Sequence, residues 1–124
     1  PNMKIVLEQL SKHHRLIIST SNETNVVRNY LKREKISGLF DHIYGSDVEP
    51  SKVKKIQLIQ KNDPAKRYSY IGDTIGDILE GKQAQVQTIA VSWGWHKKKE
   101  LLNAKPDLIV DQPTDLLSFF TEES

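Results

Sequence analysis

The sequence predicts an α/β fold: a parallel β-sheet of about five short strands with helices on both faces. Three observations lead there. Apolar runs of three to six residues recur along the chain, at 16–18, 42–44, 68–71, 86–91 and 108–110. Between them lie segments whose apolar residues return at helical spacing. The runs end in turn or capping residues, among them Ser19-Thr20, Gly45-Ser46-Asp47, Gly72-Asp73 and Ser92-Trp93-Gly94, as a strand passing into a helix requires.

Residues 1–14 read as the first helix, with Ile5, Val6, Leu7 and Leu10 as its apolar stripe and Lys4, Glu8, Gln9 and Lys12 turned away. The break His13-His14-Arg15 precedes Leu16-Ile17-Ile18, the first strand. Ser19-Thr20-Ser21-Asn22 then offers side-chain oxygens to the orphan amides of a helix start. That helix covers 23–35, with Val26, Val27, Tyr30 and Leu31 expected inward. Gly38 breaks the pattern, Leu39-Phe40 packs, and 42–44 is the second strand. Glu49-Pro50 leads into a helix over 51–61, apolar along Val53, Ile56, Leu58 and Ile59, which Asn62-Asp63-Pro64 ends. The third strand, 68–71, runs to Gly72-Asp73 and a helix over 74–84. A fourth strand (86–91), a short helix (97–103), a fifth strand (108–110) and a closing helix (114–120) complete the chain. No internal repeat or low-complexity tract interrupts the pattern.

Composition bounds the function. A chain of 124 residues is long enough for one domain with its own core. With 18 basic against 16 acidic residues the net charge is +2, which gives no reason to expect a nucleic-acid or membrane partner. The absence of cysteine excludes disulfides, zinc–thiolate sites and thiol catalysis. No apolar stretch reaches the length of a membrane span and no signal-peptide pattern opens the sequence, so a cytoplasmic location is expected.

The residues able to carry chemistry sit after the strands. Asp73 follows the third strand, and Asp77 falls one helical turn further on, so both carboxylates can face one space at the carboxyl edge of the sheet, where parallel α/β proteins bind ligands. Two such carboxylates suit a hard cation, since Mg²⁺ takes a few carboxylate oxygens together with water and phosphate. Ser19 and Thr20 end the first strand and Asp47 follows the second. Ser51-Lys52-Val53-Lys54-Lys55 puts a cation at a helix start, where free amides already attract anions. Each element alone has a plainer reading: Asp73 or Ser19 as a helix cap, the lysines as a solvated face. His13, His14, His42 and His96 lack metal-ligand spacing. Trp93 and Trp95 fit loop packing as well as the border of a site, and Lys97-Lys98-Lys99 fits a solvated helix face.

The order is an apolar strand ending in Ser/Thr, a lysine at a later helix start, then an apolar strand ending in Gly-Asp-x-x-x-Asp. It resembles the second, third and fourth signature motifs of the haloacid dehalogenase-like (HAD) hydrolase superfamily. Ile89-Ala-Val-Ser-Trp-Gly-Trp95 and Lys105-Pro-Asp-Leu-Ile-Val-Asp-Gln-Pro-Thr-Asp-Leu-Leu117 are similar to the closing strands of its phosphoglycolate-phosphatase-like branch. The resemblance covers essentially the whole chain. It implies a three-layer αβα, Rossmann-like core and a magnesium-dependent phosphomonoester hydrolase that works through an aspartyl-phosphate on small phosphorylated metabolites. It further implies Ser19, with the Thr20 amide beside it, as phosphoryl ligands, and Lys52 as the lysine at the phosphoryl oxygens, Lys55 being the weaker candidate. Asp73 and Asp77 become the magnesium-binding acids. Such chemistry is mostly positioning and neutralisation of spread negative charge.

One part of the family pattern is absent from these residues: the first motif, an apolar strand ending in Asp-x-Asp-Gly-Thr that carries the nucleophile, together with the cap that selects the substrate. Residues 1–124 are therefore expected to form a single core domain, the carboxyl-terminal portion of such an enzyme, inactive or nearly so and binding Mg²⁺ weakly or not at all. In the family's sheet the missing strand is central, between the strands ending here at Ser19 and Asp73. Without it two strand edges await pairing. Either these strands close up, or a missing amino-terminal segment or a second copy of the chain fills the gap. A permuted arrangement with Asp111 as nucleophile is opposed by Pro113, which stands where the acid/base belongs. A non-catalytic binding or assembly module is the alternative, and a receiver-like domain would leave Ser19 and Trp93-Gly94 without a purpose.

Overall fold

The computed structural model describes every residue except 1, 50, 66, 95 and 124; of Asn2, Lys52 and residues 121–123 it describes the backbone alone. In chain order the elements are α1 (Asn2–Ser11), β1 (Ile17–Ser19), α2 (Thr24–Arg33), a single 3₁₀ turn (Ser37–Leu39), β2 (His42–Tyr44), α3 (Lys52–Asn62), β3 (Ser69–Gly72), α4 (Ile75–Gln83), β4 (Gln87–Val91), α5 (Lys98–Asn103), β5 (Leu108–Val110) and α6 (Pro113–Glu123). The five expected strands are all present and all their pairings are parallel. They form two sheets, β1-β2 and β3-β4-β5. In the first, Ile18 is opposite Ile43; in the second, Ile71, Ile89 and Leu108 lie in one row.

The strands are central because they are apolar on both faces. Along β4, Ile89 and Val91 point to one side and pack with Val6 and Leu10 of α1, Val110, and Leu116 of α6. Ala90, one residue out of phase, points to the other side and packs with Ile78 of α4 and Leu101 and Ala104 around α5. A third cluster joins Ile56 of α3 to Ala84 and Val86. The result is three layers, α1 and α6 on one face and α3, α4 and α5 on the other. No described helix is long and apolar enough to cross a membrane.

Two apolar stripes are narrower than the sequence implies. Ile5 is 60% exposed while its neighbour Val6 is buried, because successive helical residues are turned by about 100° and Met3, Val6 and Leu10 face the core. On α2, Leu31 and Thr24 are buried but Val26 and Tyr30 are more than half exposed. That helix rests on β2 and the 3₁₀ turn along a single line.

β1, β2 and β3 are tied to one residue, Asp63, through its carboxylate and its backbone carbonyl. Asp63, which closes α3, is 3% exposed. It accepts hydrogen bonds from the Arg15 guanidinium before β1, from His42 Nδ1 at 3.0 Å and from the Tyr44 hydroxyl at 2.9 Å. Its backbone carbonyl takes the Tyr68 hydroxyl, just before β3, at 3.0 Å. Three strands that begin at the same point beside α3 run in the same direction. Yet β1 and β3 do not pair: among the described residues no ladder joins the two sheets, and a cavity of about 670 Å³ separates them.

Candidate active site

The carboxyl edge of β3 is shaped by a tight strand-to-helix turn. Thr74 caps α4, its hydroxyl accepting the Asp77 amide at 3.0 Å. The helix cap is thus Thr74, and Asp73 is left at the end of the strand. Asp77 folds back, Oδ2 accepting the Asp73 amide at 3.3 Å, so the two carboxylates share one corner. Two glycines make room for them. A Cβ on Gly72 would stand 2.4 Å from the Asp77 Cβ, and one on Gly94 would stand 2.2 Å from Asp73 Oδ2. The loop after β4 therefore lies against Asp73 only because position 94 has no side chain. His96 completes the corner: its amide donates to the Asp73 carbonyl at 3.0 Å, and its Nδ1 accepts the Ile75 amide at 2.9 Å. One orphan amide of the α4 start is thereby satisfied, and Nδ1 carries no proton.

At its own carboxyl end, β1 carries a second polar group. Ser19 Oγ is buried with no hydrogen-bond partner among the described residues. The Tyr70 phenol is raised by burial, and further by the Asp77 and Glu80 carboxylates, while Ser19 stands close enough to pull the other way. The Ser19 hydroxyl is within influence of Tyr70 but not at bonding distance. The Thr20 amide donates to the Tyr44 carbonyl at 3.0 Å, and its carbonyl accepts Lys55 Nζ. Lys55 is completely buried, although it lies in the charged run at the start of α3. Ser51 caps that helix, accepting the Lys54 amide at 3.3 Å. Lys52 is its first residue, and the Lys52 side chain and Trp95 lie outside the described residues.

The site residues thus form two groups: Asp73 and Asp77 on β3–α4 with His96 from the loop after β4, and Ser19, Thr20 and Lys55 on β1–α3. Asp47 belongs to neither. Its carboxylate receives the Thr24 amide at 2.7 Å and the Thr24 hydroxyl at 2.8 Å, which together hold it below the ordinary carboxylate range and make it a tether for the start of α2. Asp111, after β5, is held low by Lys98 and by Ser92. The position of Lys55 had a signal in the sequence: it precedes Ile59 by four residues and Leu58 by three, on the flank of the apolar side of α3. His96 had none, since its partner amide is 21 residues away. Among the described residues no group of three or more His, Asp or Glu side chains converges as a metal cage.

Parallel sheets between helical layers define this chain as an α/β protein, a class in which ligands bind at the carboxyl edge. Residues 1–91 match the family model described as haloacid dehalogenase-like hydrolase, and the chain belongs to that family. It is 29% identical to a phosphoglycolate phosphatase of Synechococcus elongatus over 98% of this chain and 59% of that protein. It is 32% identical to a phosphoglycolate phosphatase of Aquifex aeolicus over 94% of this chain and 56% of that one. A solved haloacid dehalogenase-like hydrolase from Streptococcus pneumoniae superimposes with a TM-score of 0.88 at 35% identity, covering 97% of this chain and 59% of that structure. The chain therefore spans little more than half the length of the relatives it matches.

Proposed function

We propose that residues 1–124 are a single core domain, the carboxyl-terminal portion of the core of a magnesium-dependent phosphomonoester hydrolase acting on a small phosphorylated metabolite in the cytoplasm. The observation that supports this reading is the pair Asp73 and Asp77, packed against Gly72 and Gly94 at the carboxyl edge of β3. Two carboxylates fit a Mg²⁺ ion, which completes its coordination with water and phosphate oxygens. When bound, the ion would neutralise phosphoryl charge. Ser19 would donate its hydroxyl to a phosphoryl oxygen. The Thr20 amide already serves Tyr44, which leaves Ser19 as the principal donor of that strand end. Lys52 begins α3 at the same edge and would add positive charge. The buried Lys55, bonded to the Thr20 carbonyl, fixes the shape of the β1 end.

None of the 124 residues forms an Asp-x-Asp-Gly-Thr element, so the chain on its own is expected not to turn over substrate. Incubation with p-nitrophenyl phosphate and Mg²⁺ should release no p-nitrophenol above background. Turnover abolished by Asp111→Asn would overturn the reading in favour of a permuted nucleophile. The acid pair is tested separately with Mn²⁺. Paramagnetic broadening of amide resonances should centre on residues 73–77 and be lost in Asp73→Asn; broadening centred elsewhere would remove these acids from the metal site.

A further inference from the structure

The backbone of the acid corner is held by hydrogen bonds from three different side chains. Asp77 Oδ2 takes the Asp73 amide at 3.3 Å, the Thr74 hydroxyl oxygen takes the Asp77 amide at 3.0 Å, and His96 Nδ1 takes the Ile75 amide at 2.9 Å. The first two acceptors belong to the same turn as their donors. The third cannot. Ile75 is the first residue of α4, and a capping side chain reaches the amides of the second or third helical residue. The first amide has to find its acceptor outside the helix. His96, in the loop after β4 and 21 residues away, supplies it.

The same residue also donates its amide to the Asp73 carbonyl at 3.0 Å. His96 therefore grips the two peptide units on either side of Thr74. Each unit is planar, so holding both fixes the Thr74 dihedrals, which are extended at φ −128° and ψ 157°. Those dihedrals set the angle between the strand end that carries Asp73 and the helix that carries Asp77. An imidazole can accept at Nδ1 only in the form with its proton on Nε2. We infer that His96 is a positioning residue of the acid pair: its Nδ1 holds the Thr74 turn in the shape that sets Asp73 beside Asp77 as ligands for one divalent cation. The inference rests on the reading of these two acids as metal-binding. Residues that orient metal ligands in this way are worth ~10–100-fold in metal affinity without touching the ion.

The test uses the 124-residue chain and its variants His96→Asn, His96→Gln and His96→Ala. Asparagine carries its oxygen on Cγ, where the imidazole carries Nδ1, whereas glutamine carries it further out. Exchange of the Asp73 and Ile75 amides is followed by NMR without metal, Mn²⁺ affinity is taken from the broadening of amides 73–77, and thermal midpoints are recorded beside both. His96→Ala and His96→Gln should speed exchange of both amides and weaken Mn²⁺ binding about tenfold. His96→Asn should keep the protection and most of the affinity. Lower midpoints with parental Mn²⁺ affinity would reduce His96 to a helix cap and overturn the inference. Equal loss of affinity in all three variants would place the effect in the bulk of the ring and overturn it too. If His96→Ala does not fold, the comparison of asparagine with glutamine decides alone. A parent chain that shows no Mn²⁺ broadening at 73–77 would sink the metal-binding reading of the acids. The positioning of Asp73 would then be kept by faster Asp73 exchange in His96→Gln but not in His96→Asn, and overturned by unchanged exchange in both.

Discussion

The two ends of the β1–β2 sheet treat buried polar groups in opposite ways. At the amino end Asp63 is buried and saturated, taking donors from Arg15, His42 and Tyr44. At the carboxyl end Ser19 Oγ is buried and takes none from the described residues. A buried group that meets its partners within its own chain fixes the fold. One that does not is stored hydrogen-bonding capacity for something that arrives later. The same sheet is thus closed by Asp63 at one end, while at the other a buried hydroxyl has no partner among the described residues.

The largest effect that tests this contrast is the loss of Asp63. Removing the acceptor leaves the buried Tyr44 O–H without the carboxylate it donates to, while Arg15 and His42, both about half exposed, can turn to water. Asp63→Ala should therefore cost about 2–3 kcal/mol in urea unfolding, at the lower end of what breaking a buried charged network costs. The wild-type clasp should also be acid-sensitive. Burial alone would raise the Asp63 carboxyl, but the Tyr44 and His42 hydrogen bonds and the charges of His42 and Arg15 outweigh it and hold it below its ordinary 3.8. A depressed folded value means the stabilisation is complete above the unfolded value, near pH ~4, and is lost as pH falls through the folded one. Unfolding free energy should drop below about pH 4, and Asp63→Ala should flatten that drop. An unchanged acid limb in the variant would place the sensitivity in another carboxylate.

The sequence carried the layers but not this clasp. Strand positions were readable to within one residue because Leu16-Ile17-Ile18 and the Ile89-Ala-Val run have no other use than burial in a sheet. Helix faces were readable only in part: Val26 and Tyr30 look apolar yet are exposed, since α2 rests on its neighbours along one line. Asp63 looked like a helix terminator beside proline. Its donors lie 48, 21 and 19 residues away, at separations that local pattern cannot connect. Asp47 similarly looked like a strand-end acid of the site and is the tether of α2. The corner of Asp73 and Asp77 was legible, because four-residue spacing on a helix start is a local fact. The family resemblance left open whether β1 and β3 would close up, and periodicity cannot show which strands are neighbours; the structure keeps them in separate sheets.

A smaller effect belongs to the β3–α4 turn. Thr74 caps α4 and, through the Asp77 amide, sets the turn that holds the acid pair. Thr74→Ala should cost about 1 kcal/mol, the usual worth of such a cap, measured as a shift in thermal midpoint. Thr74→Ser keeps the oxygen and should restore most of it. If serine does not rescue, the threonine acts through its methyl group and the corner is held by packing.

The smallest expected effect is the most discriminating for the contrast between the two ends. Ser19→Ala deletes a hydroxyl that already lacks a partner at bonding distance, so the folded chain loses no hydrogen bond and is relieved of a desolvated polar atom. The variant should be between neutral and about 0.5 kcal/mol more stable than the parent, against the 2–3 kcal/mol loss at Asp63. Its neighbour Tyr70 adds a second reading. With the Ser19 hydroxyl gone, the one influence from that side that eases phenol ionisation disappears, and burial beside Asp77 and Glu80 should push the Tyr70 titration still higher in the ultraviolet. A loss above ~1 kcal/mol on Ser19→Ala would mean that the hydroxyl already holds the fold together. The β1 end would then be as closed as the Asp63 end, leaving Asp73 and Asp77 as the only part of this edge reserved for a ligand.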